Sequence, residues 1–494
     1  MAELLLGIDL GTSGIRAGLY YPDGTCAGFG SRSCPLSSPQ PGFAEQDPEG
    51  WWRATCEAVR EALNAADSTG EDIAGISFSG QMHGTVLLDQ AGLPVSPAII
   101  WADTRSDPDL TDLAELVGEQ RQERILMNPL FSGTQAATLH WLMRHDRPTW
   151  QRVRHILLPK DYLRFRMCGL YHTEPSDASS TLLCDLKLRE WSDEILNALG
   201  VPLEFMPFMV NSDQNVGETE GIEPETGIPD GIPVVIGGSD QACAALGNGI
   251  IDPDVAMVTI GTGAQVFTPL ETPQSGPGEY LRLFCHLPQA RWCLIGATIT
   301  GGLSLSWYRD TCCEGENFEN LMAEAGKAPP GSHGIIFISH LNSRGLPDIS
   351  REPLESFRGL RYRHTSGYCI RAIMERIVYE LLDLFITQHA AGIRPGRIIA
   401  AGGFTGNPAW VQILADCFER PVQYTPGRES ACYGAALAAG VGIGHYRSFE
   451  DAAKSVPPPA ETVEPILTNI LAYRDRYDYY LEKGDAETES EENN

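Results

Sequence analysis

GIDLGTSGIRAGLYYPDG, residues 7–24, is where the architecture begins to show. An apolar run at residues 4–8 ends in Asp9, Gly11-Thr12-Ser13-Gly14 supply a turn, and residues 15–21 return, so the pattern predicts a hairpin. Asp23-Gly24 closes a second turn. Gly11 and Gly14 allow the backbone to approach a ligand with its N–H groups turned inward, while Thr12 and Ser13 add hydroxyl donors. That chemistry suits phosphate, although an ordinary polar hairpin turn has the same composition. Asp9, at the strand end, is placed to hold a divalent metal through water. No G-x-x-x-x-G-K-[ST] pattern occurs in the chain, which argues against a P-loop.

The same strand-to-glycine turn returns in the second half as Thr259-Ile260-Gly261-Thr262-Gly263, following a strand predicted over 255–260. Two facing phosphate loops are implied. Between them, a strand over 73–78 leads into Gly80-Gln81-Met82-His83-Gly84, and helical spacing appears at 137–144 and 150–156. Pro224, Gly227, Pro229, Gly231 and Pro233 punctuate the approach to a domain junction before a short buried strand over 234–236. That strand runs into Gly237-Gly238-Ser239-Asp240 and a small-residue, helix-compatible stretch. Near the end, a strand over 398–401 precedes Gly402-Gly403-Phe404-Thr405-Gly406, and Asn407 followed by Pro408 signals a helix start. The acidic residues 482–494 are expected to be a disordered tail.

A chain of 494 residues exceeds what one core supports, so two domains of about two hundred residues each, with a cleft between them, are expected. Hydrophobic residues at 43% with 51 glycines and 34 prolines fit a loop-rich α/β protein. The formal charge of -29 repels nucleic acid and anionic membranes, so neither is expected as a partner. An anionic nucleotide must therefore be met locally, by amides and a divalent cation. The apolar runs are strand-length, far short of a bilayer span, and residues 1–8 lack a secretory pattern. The 13 cysteines, without a CxxC pair, predict free thiols in a reducing cytoplasm.

Asp240 follows a buried strand at a helix start, where the dipole is expected to favour its ionised form. It suits a general base, and helix capping is its structural alternative. Met82 and His83 sit between glycines, where the histidine can donate to a sugar hydroxyl and the methionine pack against its carbons. Gly402-Gly403 offers a backbone platform for a flat ring.

Together, GIDLGTSGIRAGLYYPDG at 7–24, SGQMHGTVLLD at 79–89, LLPKDYLRFRMCG at 157–169, VVIGGSDQACAALGNG at 234–249, TIGTG at 259–263 and IIAAGGFTGNPAWVQILADCFERPV at 398–422 resemble the FGGY carbohydrate kinases over residues 4–445. The resemblance implies an α/β protein of two actin-like ATPase (ribonuclease H-like) domains with an interdomain cleft, residues 1–248 and 249–481. It implies ATP and Mg²⁺ as cofactors, a small sugar as partner, and a homodimer as a candidate assembly. Carried over by position, Asp9 is the metal and phosphate aspartate and Asp240 the catalytic base. Gln81, Met82, His83, Trp101, Asp103 and Gln241 join Asp240 at the sugar. Gly11, Thr12, Ser13, Gly261, Thr262, Gly402, Gly403 and Asn407 meet ATP. Gln81-Met82-His83-Gly84 looks most like the xylulose-phosphorylating members. Gln241 departs from the Asn usual there and resembles the Asp-Gln pair of glycerol-phosphorylating members, which keeps ribulose, a hexulose, gluconate or glycerol as alternative acceptors. From another class, a sugar-responsive ATPase without transferase activity is the remaining alternative.

Overall fold

Residues 3–261, 263–276, 280–298, 301–313, 316–339 and 355–491 are described by a computed structural model of the chain. Thr262, expected in the second phosphate loop, lies outside them. The first strand, β1 (Leu4–Gly11), returns as β2 (Gly14–Tyr20) with Gly11 opposite Gly14, and β3 (Cys26–Ser33) continues the meander. Helix α1 (Pro48–Ala65) leads to β4 (Ile73–Gly80), which runs parallel to β1. Helix α2 (Pro159–Cys168) follows, then β5 (Asn215–Glu218), β6 (Pro233–Val235), β7 (Gly238–Ser239) and helix α3 (Asp240–Gly247). The order is β5-β6-β4-β1-β2-β3, with β7 also on β4.

The second sheet repeats this plan. Strand β8 (Val255–Ile260) pairs antiparallel with β9 (Ala264–Leu270); β10 (Leu281–Cys285) and β11 (Trp292–Thr298) extend that side. Helices α4 (Gly302–Cys312) and α5 (Ser366–Ala390) precede β12 (Arg397–Ala401), which is parallel to β8 as β4 is to β1. Helix α6 (Pro408–Phe418), β13 (Val422–Tyr424), helix α7 (Ser430–Gly442), β14 (Glu461–Val463) and helix α8 (Leu467–Glu491) complete it. The order is β10-β11-β9-β8-β12-β13-β14. The glycine-turn echo of the sequence is thus the visible part of a structural repeat.

Strand alternation sets the layers. Leu4, Leu6, Ile8 and Leu10 face one side of β1 and join Trp51, Val59, Tyr162 and Leu163 in the outer core of the first lobe. Leu5 faces the opposite side, toward α3 and α7, and period two puts Asp9 on that same side. In the second lobe Ala256, Val258 and Ile260 pack outward, while Val255 and Met257 face inward with Ala244 and Ala245 of α3. Helices α3 and α7 therefore lie between the two sheets. The division expected between residues 248 and 249 falls in the link from α3 to β8, and α7, late in the chain, crosses back to cover β1 of the first sheet.

Contact between α3 and α7 requires Gly434, where a Cβ would stand 1.8 Å from the carbonyl oxygen of Cys243. Alanine gains about 1 kcal/mol of helix propensity but forces the backbones apart. We expect Gly434→Ala to destabilise the protein by about 2 kcal/mol net, read as a lower thermal midpoint; an unchanged or raised midpoint would contradict this packing.

Two expectations are corrected. Residues 150–156 do not form one helix: Arg147–Arg152 is helical, and His155–Leu157 is a strand paired with Val86–Leu88, because the apolar Ile156-Leu157 gains a buried sheet partner. Residues 482–491, expected disordered, continue α8, as Glu, Ala and Lys propagate a helix already started on the packed Tyr473. No helix among the described residues is long and apolar enough to cross a membrane.

Candidate active site

The carboxyl ends of β1, β4 and β7 bring the first group of side chains together. Asp9 stands directly opposite Arg16 on β2 and Ser79 on β4. Arg16 donates to Asp9 Oδ2 at 3.2 Å and the Ser79 hydroxyl donates to Oδ1 at 2.8 Å, so the buried carboxylate is held from both neighbouring strands. Arg16 also reaches Glu429, just before α7, at 3.4 Å. Gly11 ends β1 and the turn that follows holds Thr12 and Ser13, with Ser13 exposed. Trp101 Nε1 donates to Thr12 Oγ1 at 2.8 Å, and Gln46 Nε2 donates to the Thr12 carbonyl at 2.8 Å. Trp101, expected at the sugar, is thus tied to the turn that follows β1.

Asp240 is the first residue of α3, and its Oδ1 accepts the N–H of Gln241 at 2.7 Å. Burial, and then the nearby Asp9 charge, push its carboxyl up to about 7, outweighing the Gln241 N–H and Arg16. This corrects the expectation that the helix start would favour the ionised form. It also puts Asp240 within electrostatic reach of Asp9, whose own carboxylate is paired with Arg16.

Met82 and His83 occupy a tight turn closed by the Gly84 N–H donating to the Met82 carbonyl at 2.8 Å, with His83 at φ 71°. A non-glycine residue held in that region costs of order 1–3 kcal/mol, and such strain clusters at binding sites. His83 Nδ1 lies 2.8 Å from the Ser180 carbonyl, and its ring borders Phe131 and Phe284. Burial lowers its pKa to about 4, so the imidazole is neutral at pH 7. With Nδ1–H donating to a carbonyl, Nε2 carries the lone pair. Nε2 is therefore a hydrogen-bond acceptor, not the donor expected from the sequence. Met82 packs with Ala244, Ala245 and Phe284, joining α3 to the second lobe. Gln81 Nε2 donates to Gln46 Oε1 at 2.9 Å, and the buried amide oxygens of Gln81 and Gln241 have no partner.

Asp103 is different. Its Oδ2 accepts the Ala44 N–H at 2.7 Å and Arg105 Nη2 at 2.8 Å, while Oδ1 accepts Arg105 Nε at 2.9 Å. Arg105 in turn pairs with Glu45 at 2.7 Å and stacks on Phe43. The Asp103 carboxylate is thus taken up in fixing the loop after Trp101, so its direct sugar contact is not supported by this geometry.

On the second lobe, Gly261 follows β8 and Gly402 follows β12, adjacent parallel strands with Thr259 opposite Ala401. Gly402 has φ 98°, a conformation natural only to glycine, and a Cβ there would lie 3.8 Å from the Ile260 carbonyl oxygen. Gly403 is exposed with open space beside it, and the Gly261 carbonyl accepts the first N–H of α4 at 2.7 Å. Asn407 caps α6 through Oδ1 at 2.9 Å from the Ala409 N–H, which leaves its amide nitrogen as a donor. The strand ends so assembled are where ligands bind in α/β sheets.

Sequence reading missed Arg16, Ser79 and Ser180. Arg16 was accessible: with Gly11 opposite Gly14, counting back two residues on β1 and forward two on β2 faces Asp9 with Arg16. Ser180 left no local signal, because its contact with His83 spans 97 residues.

Comparison with known proteins follows the same two lobes. The pattern of the FGGY family of carbohydrate kinases, N-terminal domain, matches residues 4–247, and that of its C-terminal domain matches residues 256–443. The chain is 32% identical to the xylulose kinase of Bacillus subtilis (strain 168), covering 97% of this chain and 96% of that one. It is also 32% identical to the xylulose kinase of Escherichia coli (strain K12), over 92% and 93% of the two chains. The crystal structure of a xyloylose kinase from Brucella ovis superimposes with a TM-score of 0.85 at 30% identity, covering 98% of this chain and 99% of the other.

Proposed function

Because this chain belongs to the FGGY family of carbohydrate kinases, with ATP as the phosphoryl donor that membership implies, we propose that it transfers the γ-phosphoryl group to the terminal hydroxyl of D-xylulose, giving D-xylulose 5-phosphate. The observation that carries the reading is the buried Asp240 carboxyl at the start of α3, pushed up to about 7 by burial and by the charge of Asp9. A base in that range accepts the hydroxyl proton as the oxygen attacks phosphorus. Asp240 takes the proton, and Arg16, held beside Asp9, donates to phosphate oxygens. His83 Nε2 and the free amide oxygens of Gln81 and Gln241 accept sugar hydroxyls, and Met82 packs against the carbon chain. Gly11, Thr12 and Ser13 line the triphosphate from one lobe and Gly261 from the other. Gly402 and Gly403 carry the adenine, with the Asn407 amide beside them.

Mg²⁺ fits this donor set. Such an ion is bound through one or two carboxylates plus phosphates and water, and Asp9, with Asp240 in electrostatic reach, would hold it. When bound, it neutralises charge on the β- and γ-phosphates. Closure of lobes divided near residues 248 and 249 excludes water as a competing acceptor. Free thiols at all 13 cysteines support a cytoplasmic setting.

Purified enzyme with MgATP and a panel of D-xylulose, L-ribulose, gluconate and glycerol tests the acceptor by mass spectrometry. A pentulose phosphate formed fastest from D-xylulose is expected; faster phosphorylation of glycerol would assign Gln241 the deciding role instead. Sugar-stimulated ATP consumption with no phosphorylated sugar would refute transfer altogether. For His83→Ala we expect the KM for the sugar to rise by about tenfold or more while that for ATP is unchanged. Equal changes in both would make His83 a structural residue only.

A further inference from the structure

A fully buried ionic cluster lies beneath the site and enters none of the roles above. Lys160 Nζ, on the first turn of α2, is 2.8 Å from Asp161 Oδ1, 3.4 Å from Asp177 Oδ2 and 3.5 Å from Glu174 Oε1, all with side chains 0% exposed. One cation against three carboxylates in a low-dielectric interior is costly unless geometry and hydrogen bonds compensate it. Its connections run in two directions. Glu174 Oε1 accepts the Ser176 hydroxyl at 2.9 Å, and Ser176 Oγ accepts the N–H of Ser239, the residue before Asp240, at 3.0 Å. Glu174 Oε2 is fixed by the Ser176 N–H at 2.6 Å and the Ser212 hydroxyl at 2.7 Å. In the other direction, the Ser180 hydroxyl faces Asp177 Oδ1 at 3.5 Å and accepts the His83 N–H at 3.1 Å, while the Ser180 carbonyl accepts from His83 Nδ1 at 2.8 Å. Lys160 also forms the floor of the turn: a Cβ on Gly80 would meet Lys160 Cβ at 2.8 Å.

We propose that Lys160 is a positioning residue for phosphoryl transfer, fixing Asp240 through Glu174, Ser176 and Ser239, and the strained His83 turn through Asp177 and Ser180. One buried cation thereby sets the distance between the base and the sugar it deprotonates. The inference rests on Asp240 and His83 acting as proposed above. A role confined to stability would not require the cluster to hydrogen-bond to the residue preceding the base and to the sugar turn. A displacement of about 1 Å at a reacting group costs about 100-fold in rate, and strain at His83 holds only while its surroundings over-determine it.

Steady-state kinetics on folded enzyme test this with variants that touch one arm each. Ser176→Ala is expected to lower kcat by about tenfold with the sugar KM little changed, since it breaks the link from Glu174 Oε1 to the Ser239 N–H and leaves the Ser180 arm intact. Ser180→Ala is expected to raise the sugar KM several-fold with kcat little changed, and Lys160→Met to do both, lowering kcat by about 100-fold, with the ATP KM unmoved in all three. The serine variants carry the test if Lys160→Met does not fold. Serine variants that lower the thermal midpoint while kcat and sugar KM stay within about twofold of wild type would overturn the proposal. Asp240→Asn is measured beside them: inert Asp240→Asn with unaffected serine variants overturns the positioning alone, whereas near-normal turnover in Asp240→Asn overturns the reading of the site as well.

Discussion

Asp240→Asn is expected to lower kcat by about 1,000-fold while sugar binding, measured by calorimetry, stays within a few-fold of wild type. Asparagine keeps the shape of the side chain and its acceptance of the Gln241 N–H at 2.7 Å, but it cannot take a proton. The wild-type carboxyl, pushed up to about 7, is half-protonated near neutrality, so kcat/KM for the sugar should fall as pH drops below about 7. Stability moves the other way. A carboxyl whose folded pKa is raised favours the neutral form, so the folded protein loses stability as pH rises through the range from the ordinary carboxylate value to about 7. Asp240→Asn removes that cost. The variant should melt at or above the wild-type temperature at pH 8, with the advantage shrinking toward pH 4, so lost turnover cannot be ascribed to unfolding. Near-normal turnover would remove Asp240 from the chemistry.

Asp9→Asn should be almost as severe, lowering kcat/KM for ATP by at least about 100-fold. The substitution keeps an acceptor for Ser79 but removes the charge that pairs with Arg16 and that would hold the divalent ion. Arg16, left with Glu429 at 3.4 Å as its remaining ion-pair partner, would swing toward that residue and away from the phosphates. Because Asp9 sits on the face of β1 opposite the outer core of Leu6 and Ile8, the apolar packing is untouched and the fold should persist. A variant that binds and turns over MgATP normally would exclude Asp9 from the phosphate site.

Features set by local pattern were legible in the sequence. The β1–β2 hairpin follows from period-two alternation ending in Gly11 and Gly14, and the start of α6 from Asn407 before Pro408, whose cap the structure realises. Asp240 at a helix start was readable for the same reason. Its raised pKa was not, because that depends on Asp9, which is adjacent only in space. The tautomer of His83 was hidden behind Ser180, and the engagement of Asp103 behind the Ala44 N–H, 59 residues away. The crossing of α7 onto the first sheet depends on the fit of Gly434 against Cys243, which no periodicity encodes.

The account stands on the electrostatic coupling of Asp9 to Asp240, and the titration of Asp240 reads this directly. Infrared difference spectra of ¹³C-aspartate-labelled protein, with the Asp240 band assigned by its loss in Asp240→Asn, would follow the carboxyl against pH in wild type and in Asp9→Asn. A wild-type midpoint of about 7 that falls when the Asp9 charge is removed is the predicted result. A midpoint in the ordinary carboxylate range, or one indifferent to Asp9, would contradict it.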